Sequence, residues 1–300
     1  MQIKIGTRGS KLALRQATIV LEKIKEIMPD SDPVITIIQS EGDLKADTPL
    51  AELGGKGVFI KTLEDALVQQ KIDMAVHSLK DVTTEIAEGT ELAAFLDPES
   101  IVDVMVCPGL QGDWTLETLP EGLAIATSSA RRKALLAEYR PDIRIVDIRG
   151  NVDTRIRKCK EGLADGVMLS EVGLVRLGLE DQISCRCEVS RFIPAPGQGV
   201  MTVQARTEDQ AVMELCQKLG SKIQKEISDM ELCLLRELGL GCNYPLGVYT
   251  SSEDDGRVKM RVFWASLDGE MRLFKTICGA KDQIRDQISA LAVEIKASYS

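Results

Sequence analysis

The sequence predicts an α/β protein with two doubly wound lobes and a smaller α+β domain at its end. Three observations carry that expectation. Short β-branched runs alternate with apolar residues at helical spacing up to about residue 97; the alternation resumes between about 104 and 192; and the tail reads as consecutive strands closed by a helix. At 300 residues, 44% hydrophobic and 28% charged, the chain is long enough for two or three domains, each with its own core.

Taken in order, "QIKIG" is the first strand, and after Ser10 the residues Leu14, Ala17, Leu21, Ile24 and Met28 recur at helical spacing. "VITII" is the next strand, 58–70 the next helix and "IDMAV" the strand after it. A strand, helix, strand succession implies parallel pairing. The same theme returns in "LAIATSSARRKALLAEY", "IRIVDI", "NVDTRIRKCK" and "DGVMLS". Beyond Pro194 and Pro196, "VMTVQAR" reads as a strand, with helices near 208–219 and 222–238. "PLGVYTSS", "RVKMRVFWASL" and "MRLFKTICG" then suggest antiparallel strands, closed by a helix from 281 to about 297.

Charge and composition exclude several classes of partner. A net charge of −9 opposes general attraction to nucleic acid or an anionic membrane, and 4% aromatic residues is poor for base stacking. No apolar run approaches the ~20 residues that span a bilayer. "MQIKIGTRGS" enters a strand pattern at once, without a signal sequence, so a cytoplasmic location is expected. Eight cysteines are too sparse for a disulfide scaffold, and the one close pair, Cys185 and Cys187, lacks the partners of a zinc site. They are expected to be reduced thiols. His77, the single histidine, cannot build a multi-histidine metal centre and reads as structural.

The charge is unevenly spread. Between Arg131 and Lys160 ten basic residues stand against four acidic ones, and arginines near a glycine turn, as in "DIRGNVDTR", suit forked recognition of small anions. Ligands of open parallel sheets collect where strands end and helices begin. "GTRGS" follows the first strand and puts Arg8 and Ser10 there. "TSSARR" follows "LAIA", so Thr127, Ser128 and Ser129 offer hydroxyl and N–H groups at a helix start, with Arg131 and Arg132 on its first turn. Simple N-capping explains either stretch alone; their repetition favours a shared anionic ligand. "AVHSLKDV" adds a cation and a carboxylate, Lys80 and Asp81, in a turn after a strand. Near the end, "LGLGCNYPLG" sets Cys242 in a glycine- and proline-bearing loop, where a thiol is either incidental or chemical.

Together these segments resemble the porphobilinogen deaminase (hydroxymethylbilane synthase) family. The resemblance runs from "GTRGSKLALRQA" through "GGKGVFIKTLEDAL", "AVHSLKDV", "TSSARR", "RPDI", "RGNVDTR", "GLVRLGL" and "PAPGQG" to "GCNYPLG". It implies three domains: 1–97 with 197–219, 98–196 and 220–300. The first two would resemble the lobes of type II periplasmic binding proteins, and the third would carry the cofactor. It implies a dipyrromethane held by Cys242 through a thioether, on which four porphobilinogen units add with loss of ammonia before water releases hydroxymethylbilane. Asp81 would be catalytic, stabilising the cationic pyrrole and handling the proton of the leaving amine. Lys80, Thr127, Ser128, Ser129, Arg131, Arg132, Arg149, Gly150, Arg155 and Gln198 would bind the cofactor, and Arg8, Ser10, Gln16 and Arg176 the substrate. No metal is implied. The product would pass to uroporphyrinogen-III synthase, and the protein would be a monomer.

"SEGDLKADTPLAELGGKG" resembles the family's mobile loop, with Lys56 near the cleft. The chain departs from the family's pattern at Glu41, in "DPESIVD", at Gly239 and Leu240 before the cysteine, and at Gln204, where a glutamate is typical. A non-catalytic anion-binding or sensor module of the same fold stays open as an alternative. It explains the arginines but leaves Asp81 and Cys242 without a role.

Overall fold

A computed structural model describes residues 2–39, 57–110, 112, 114–239, 244–253 and 255–297, with backbone alone at 57–59. The chain divides into two compact units, Met1–Glu99 with Gly199–Ser228, and Ser100–Gln198 with Asp229–Ser300.

The first unit is built on a five-stranded sheet. Its strands are β1 (Gln2–Thr7), β2 (Asp32–Ile37), β3 (Met74–Ser78), β4 (Thr90–Leu96) and β10 (Met201–Arg206), in the order β2-β1-β3-β10-β4. β1 runs parallel to β2 and β3, while β10 is antiparallel to β3 and β4. Helix α1 (Lys11–Ile27) and α6 (Gln210–Leu219) cover one face, where Val20, Ile24 and Leu215 pack on Ile3, Ile5, Met74 and Val203. Helix α2 (Gly57–Val68) covers the other with Leu63 and Leu67 against Ile72 and Ala75. Met74 and Ala75 face opposite ways because strand side chains alternate.

In the second unit the same arrangement recurs in different strands. These are β5 (Asp103–Val106), β6 (Ala124–Ala126), β7 (Arg144–Val146), β8 (Gly166–Ser170) and the short β9 (Cys185–Arg186), ordered β7-β6-β8-β5-β9. β6 is parallel to β7 and β8, and β5 is antiparallel to β8 and β9. In both sheets, therefore, the inserted antiparallel strand is the first one formed after the chain arrives from the other unit. Helix α3 (Ala130–Tyr139) packs Leu135 and Leu136 on Met105, Ile125 and Met168, whereas α4 (Val152–Lys160) packs Ile156 and Cys159 on the opposite face. The short helix α5 (Glu171–Val175) follows β8 directly.

A third sheet, β11 (Leu246–Ser252), β12 (Val258–Ala265) and β13 (Arg272–Gly279), is antiparallel throughout. Helix α7 (Lys222–Leu238) and α8 (Ile284–Ala297) cover one face through Leu234, Leu238, Ile288 and Ile295. The last helix starts at Ile284 rather than 281. Residues 280–283 form a turn in which the Gln283 N–H bonds to the Ala280 carbonyl and the Asp282 side chain takes that same N–H.

Candidate anion-binding and active site

In the first unit, β1 and β3 are parallel neighbours, so their carboxyl ends share one edge of the sheet. Ser10 caps α1 by accepting a hydrogen bond from the Ala13 N–H at 3.3 Å, which sets the turn carrying Arg8. Gln16, buried on α1, donates from Nε2 to the Ser78 hydroxyl at 2.8 Å and so ties the helix to the end of β3. There the chain enters a 3-10 turn, Leu79–Asp81, anchored by the Leu79 N–H on the Val200 carbonyl at 3.0 Å. Leu79 is buried, Lys80 half-buried and Asp81 exposed, so the carboxylate is presented to solvent from a fixed turn.

His77 precedes this turn but is buried. Its Nε2 lies 3.0 Å from Oε1 of Gln204, whose Nε2 donates to Glu64 and Thr90. Burial lowers His77 to about 4 against the opposing pull of that hydrogen bond and of Glu64 and Asp81.

In the second unit, the turns after β6 and β7 are stitched together. The Ser128 hydroxyl donates to the Ile148 carbonyl at 2.7 Å and accepts from the Ile148 N–H at 3.0 Å. Thr127 is buried, and its hydroxyl accepts from the Ser129 N–H; Ser129 then caps α3. The first N–H groups of a helix have no partner within it, so this end of α3 offers donors to an anion. Arg149 is exposed beside it. Gly150 takes a φ of +119°, and a Cβ there would stand 2.7 Å from the Thr154 methyl. Only glycine suits that position, and Nε of Arg155 donates to its carbonyl at 2.7 Å. Arg176 caps the end of α5 and is buried.

Arg131 and Arg132 are buried, and both meet one carboxylate that the motifs did not single out. Asp103 at the start of β5 accepts from Nη1 of Arg131 at 2.6 Å and from Nη2 and Nε of Arg132 at 2.7 and 3.1 Å. Gln198 donates to the same carboxylate at 3.0 Å and to the Ile101 carbonyl at 2.7 Å. Burial pushes the Asp103 carboxyl up, but the two guanidinium charges and their hydrogen bonds outweigh it and hold the group well below the usual carboxylate range. The only sequence signal was an acid opening an otherwise apolar run, "DVMV". The basic stretch is in fact partly neutralised by its own neighbours, since Lys133 pairs with Asp147, Arg140 with Asp142 and Arg157 with Glu161.

A second buried acid, Glu231 on α7, was also missed. It accepts from the Gly197 N–H at 2.7 Å and the Thr250 N–H at 2.9 Å, and burial pushes it up to about 7 despite both bonds. Cys242 lies outside the described residues, as do Lys56, Glu41, Leu240 and almost all of the glycine-rich stretch before α2.

Fold and site define a doubly wound α/β protein whose strand ends carry arginine, hydroxyl and helix-terminal hydrogen-bond donors. The sequence profile described as "Porphobilinogen deaminase, dipyromethane cofactor binding domain" matches residues 3–214. The porphobilinogen deaminase of Rickettsia prowazekii is 39% identical over 93% of this chain and 96% of its own. That of Desulforudis audaxviator is 37% identical over 98% and 94%. Among solved structures, the periplasmic VFT2 domain of BvgS from Bordetella pertussis aligns with a TM-score of 0.44 at 14% identity, over 77% of this chain and 92% of that one. The chain belongs to the porphobilinogen deaminase family, and with it to the transferases of tetrapyrrole biosynthesis.

The residues present fit a dipyrromethane. Each of its pyrroles bears an acetate and a propionate, and the second unit presents the exposed guanidinium of Arg149 together with the Thr127 and Ser129 hydroxyls and the first backbone N–H groups of α3.

Proposed function

We propose that this chain uses Asp81 as its catalytic group and Cys242 as the covalent anchor of a dipyrromethane, assembling four porphobilinogen units into hydroxymethylbilane. The observation that carries the reading is the convergence of Ser128, Ser129, Arg131 and Arg132 at the start of α3, stitched to the turn that bears Arg149 and Gly150. Arg149, Arg155 and the donors of the α3 terminus hold the cofactor's carboxylates, with Thr127 and Lys80 completing the set; Gln198, whose amide donates to Asp103 and to the Ile101 carbonyl, acts behind them by holding that acid in place. Arg131 and Arg132, locked on Asp103, add fixed positive charge behind them. Arg8, Ser10, Gln16 and Arg176 hold or order the groups that hold the carboxylates of incoming substrate.

Bound dipyrromethane supplies the nucleophilic pyrrole end on which the substrate units add. Asp81 keeps the proton on the departing amine, and its carboxylate offsets the positive charge that develops on the substrate pyrrole as ammonia leaves. Its exposed place on a rigid turn suits a group that must meet successive substrates. The seven cysteines among the described residues are free thiols, which accords with a reducing cytoplasmic setting. In this reading the protein works as a monomer and its product passes to uroporphyrinogen-III synthase.

Intact mass tests the anchor. The parent should exceed its sequence mass by a two-pyrrole adduct, and Cys242→Ser should have plain sequence mass and no activity, because a hydroxyl is a far poorer nucleophile than a thiolate. An adduct that persists in Cys242→Ser, or that maps to Cys185 or Cys187, overturns it.

A further inference from the structure

Residues 193–198, "IPAPGQ", join the arginine pair to the elements on either side of Cys242 in sequence. At one end, Nη1 of Arg131 donates to the Ile193 carbonyl at 2.9 Å, and Gln198 donates to Asp103, the acid that holds both guanidinium groups. At the other, the segment lies along the free edge of β11. The Val248 N–H donates to the Pro194 carbonyl at 2.8 Å, and Glu231 bridges the Gly197 and Thr250 N–H groups with its two oxygens. The approach is close: a Cβ on Gly247 would stand 2.6 Å from the Ile193 carbonyl oxygen. Pro194 and Pro196 restrict the backbone between these contacts. α7 ends four residues before Cys242, and β11 begins four residues after it.

We propose that 193–198 is a strut, anchored by the side-chain oxygens of Asp103 and Glu231, that positions the arginine pair relative to the cofactor-bearing cysteine. Asp103 and Glu231 are positioning residues and touch neither cofactor nor substrate. Each spends its acceptor capacity on the protein: Asp103 on two arginines and an amide, Glu231 on two backbone N–H groups. A structural filler need not join these particular elements. A device that keeps Cys242 at a set reach from the carboxylate sites must do so, because in the proposed function one cofactor has to meet both the carboxylate sites and the anchoring sulfur. The inference rests on the reading that Cys242 is the anchor.

The test uses full-length Asp103→Asn, Glu231→Gln and the double variant, each made as apoprotein. Attachment of dipyrromethane on incubation with porphobilinogen is followed by intact mass, with KM, kcat of the loaded molecules and thermal midpoint measured alongside. In Glu231→Gln the amide nitrogen faces a backbone N–H, so one tether is lost without change of shape. Each single variant should load about tenfold more slowly and raise KM, with kcat of loaded molecules within about threefold of the parent, because Asp81 is untouched. The two cuts interrupt one strut, so the double variant should load no more than about twofold slower than the worse single. Losses that multiply, or a lowered thermal midpoint with loading and KM unchanged, overturn the strut. Should Asp103→Asn fail to fold, Asp103→Glu keeps the charge and displaces the guanidinium groups, and the same non-additivity with Glu231→Gln is required of it. If the parent itself carries no adduct on Cys242, the anchor reading fails instead, and the parent's mass separates the two failures.

Discussion

The Nε2 of His77 lies 3.0 Å from the Oε1 of Gln204, and this amide, by donating its own N–H groups to Glu64 and Thr90, fixes which oxygen the imidazole meets. With Gln204 accepting, Nε2 carries the proton of a neutral ring. Burial keeps it neutral down to about pH 4. His77 is the chain's single histidine, so its proton resonance is unambiguous. Its titration midpoint by NMR should lie well below 6.5, and Gln204→Glu should raise it by more than one unit by placing a carboxylate at the same distance. A parent midpoint near 6.5 would contradict this.

Glu231 and His77 pull stability in opposite directions with pH. His77 is neutral in the fold down to about 4 but protonates near 6.5 when unfolded, so its contribution is full above 6.5 and is lost as pH falls toward 4. Glu231 titrates near 7 in the fold and near 4.5 when unfolded, so its contribution is full below 4.5 and is lost as pH rises through 7. Each shift corresponds to about 3 kcal/mol. Between 4.5 and 6.5 the two slopes offset one another. Denaturant midpoints of Glu231→Gln should therefore fall more steeply with acid across that window than those of the parent, and equal slopes would show that Glu231 titrates normally.

Which parts of this were legible in the sequence follows from what each residue has to do. The parallel strands announced themselves because "QIKIG" and "IDMAV" are β-branched and bounded by turns, and the third sheet because its strands alternate. β4, "TELAAFL", is poor in β-branched residues, and it becomes a strand because β10 returns to pair with it. Ser10 and Ser129 were visible as caps because capping is local. Asp103 and Glu231 were not, since a buried acid is recognisable only by partners far along the chain, here Arg131 and Gly197.

Asp81→Ala should separate chemistry from assembly. The side chain is exposed on its turn, and Leu79, which anchors that turn through its N–H to Val200, is unaltered. Thermal stability should stay within about 0.5 kcal/mol of the parent, as for surface substitutions. Loss of a positioned proton-handling group lowers turnover by ~10²- to 10⁴-fold. Steady-state kinetics with intact mass on the same sample decide the matter: a fully loaded variant with parental kcat removes Asp81 from the mechanism.

Arg149 offers the complementary case: the role proposed for it is that of an anion clamp, and the fold does not need its side chain. Its side chain is exposed, while its carbonyl is held by Nζ of Lys158 at 3.2 Å and the following Gly150 sets the turn, so Arg149→Leu leaves the backbone in place. Stability should again change by less than about 0.5 kcal/mol. Attachment of the dipyrromethane, or the first additions to it, should slow, because a forked donor to carboxylate is gone while Asp81 is intact. Arg149→Lys restores the charge but not the fork and should fall between the parent and the leucine variant. Added salt should slow the parent more than Arg149→Leu, since only the parent has this exposed charge to screen. Counting added pyrrole units by mass over time reads all three expectations, and parental progress through all four additions in Arg149→Leu would exclude Arg149 from carboxylate binding.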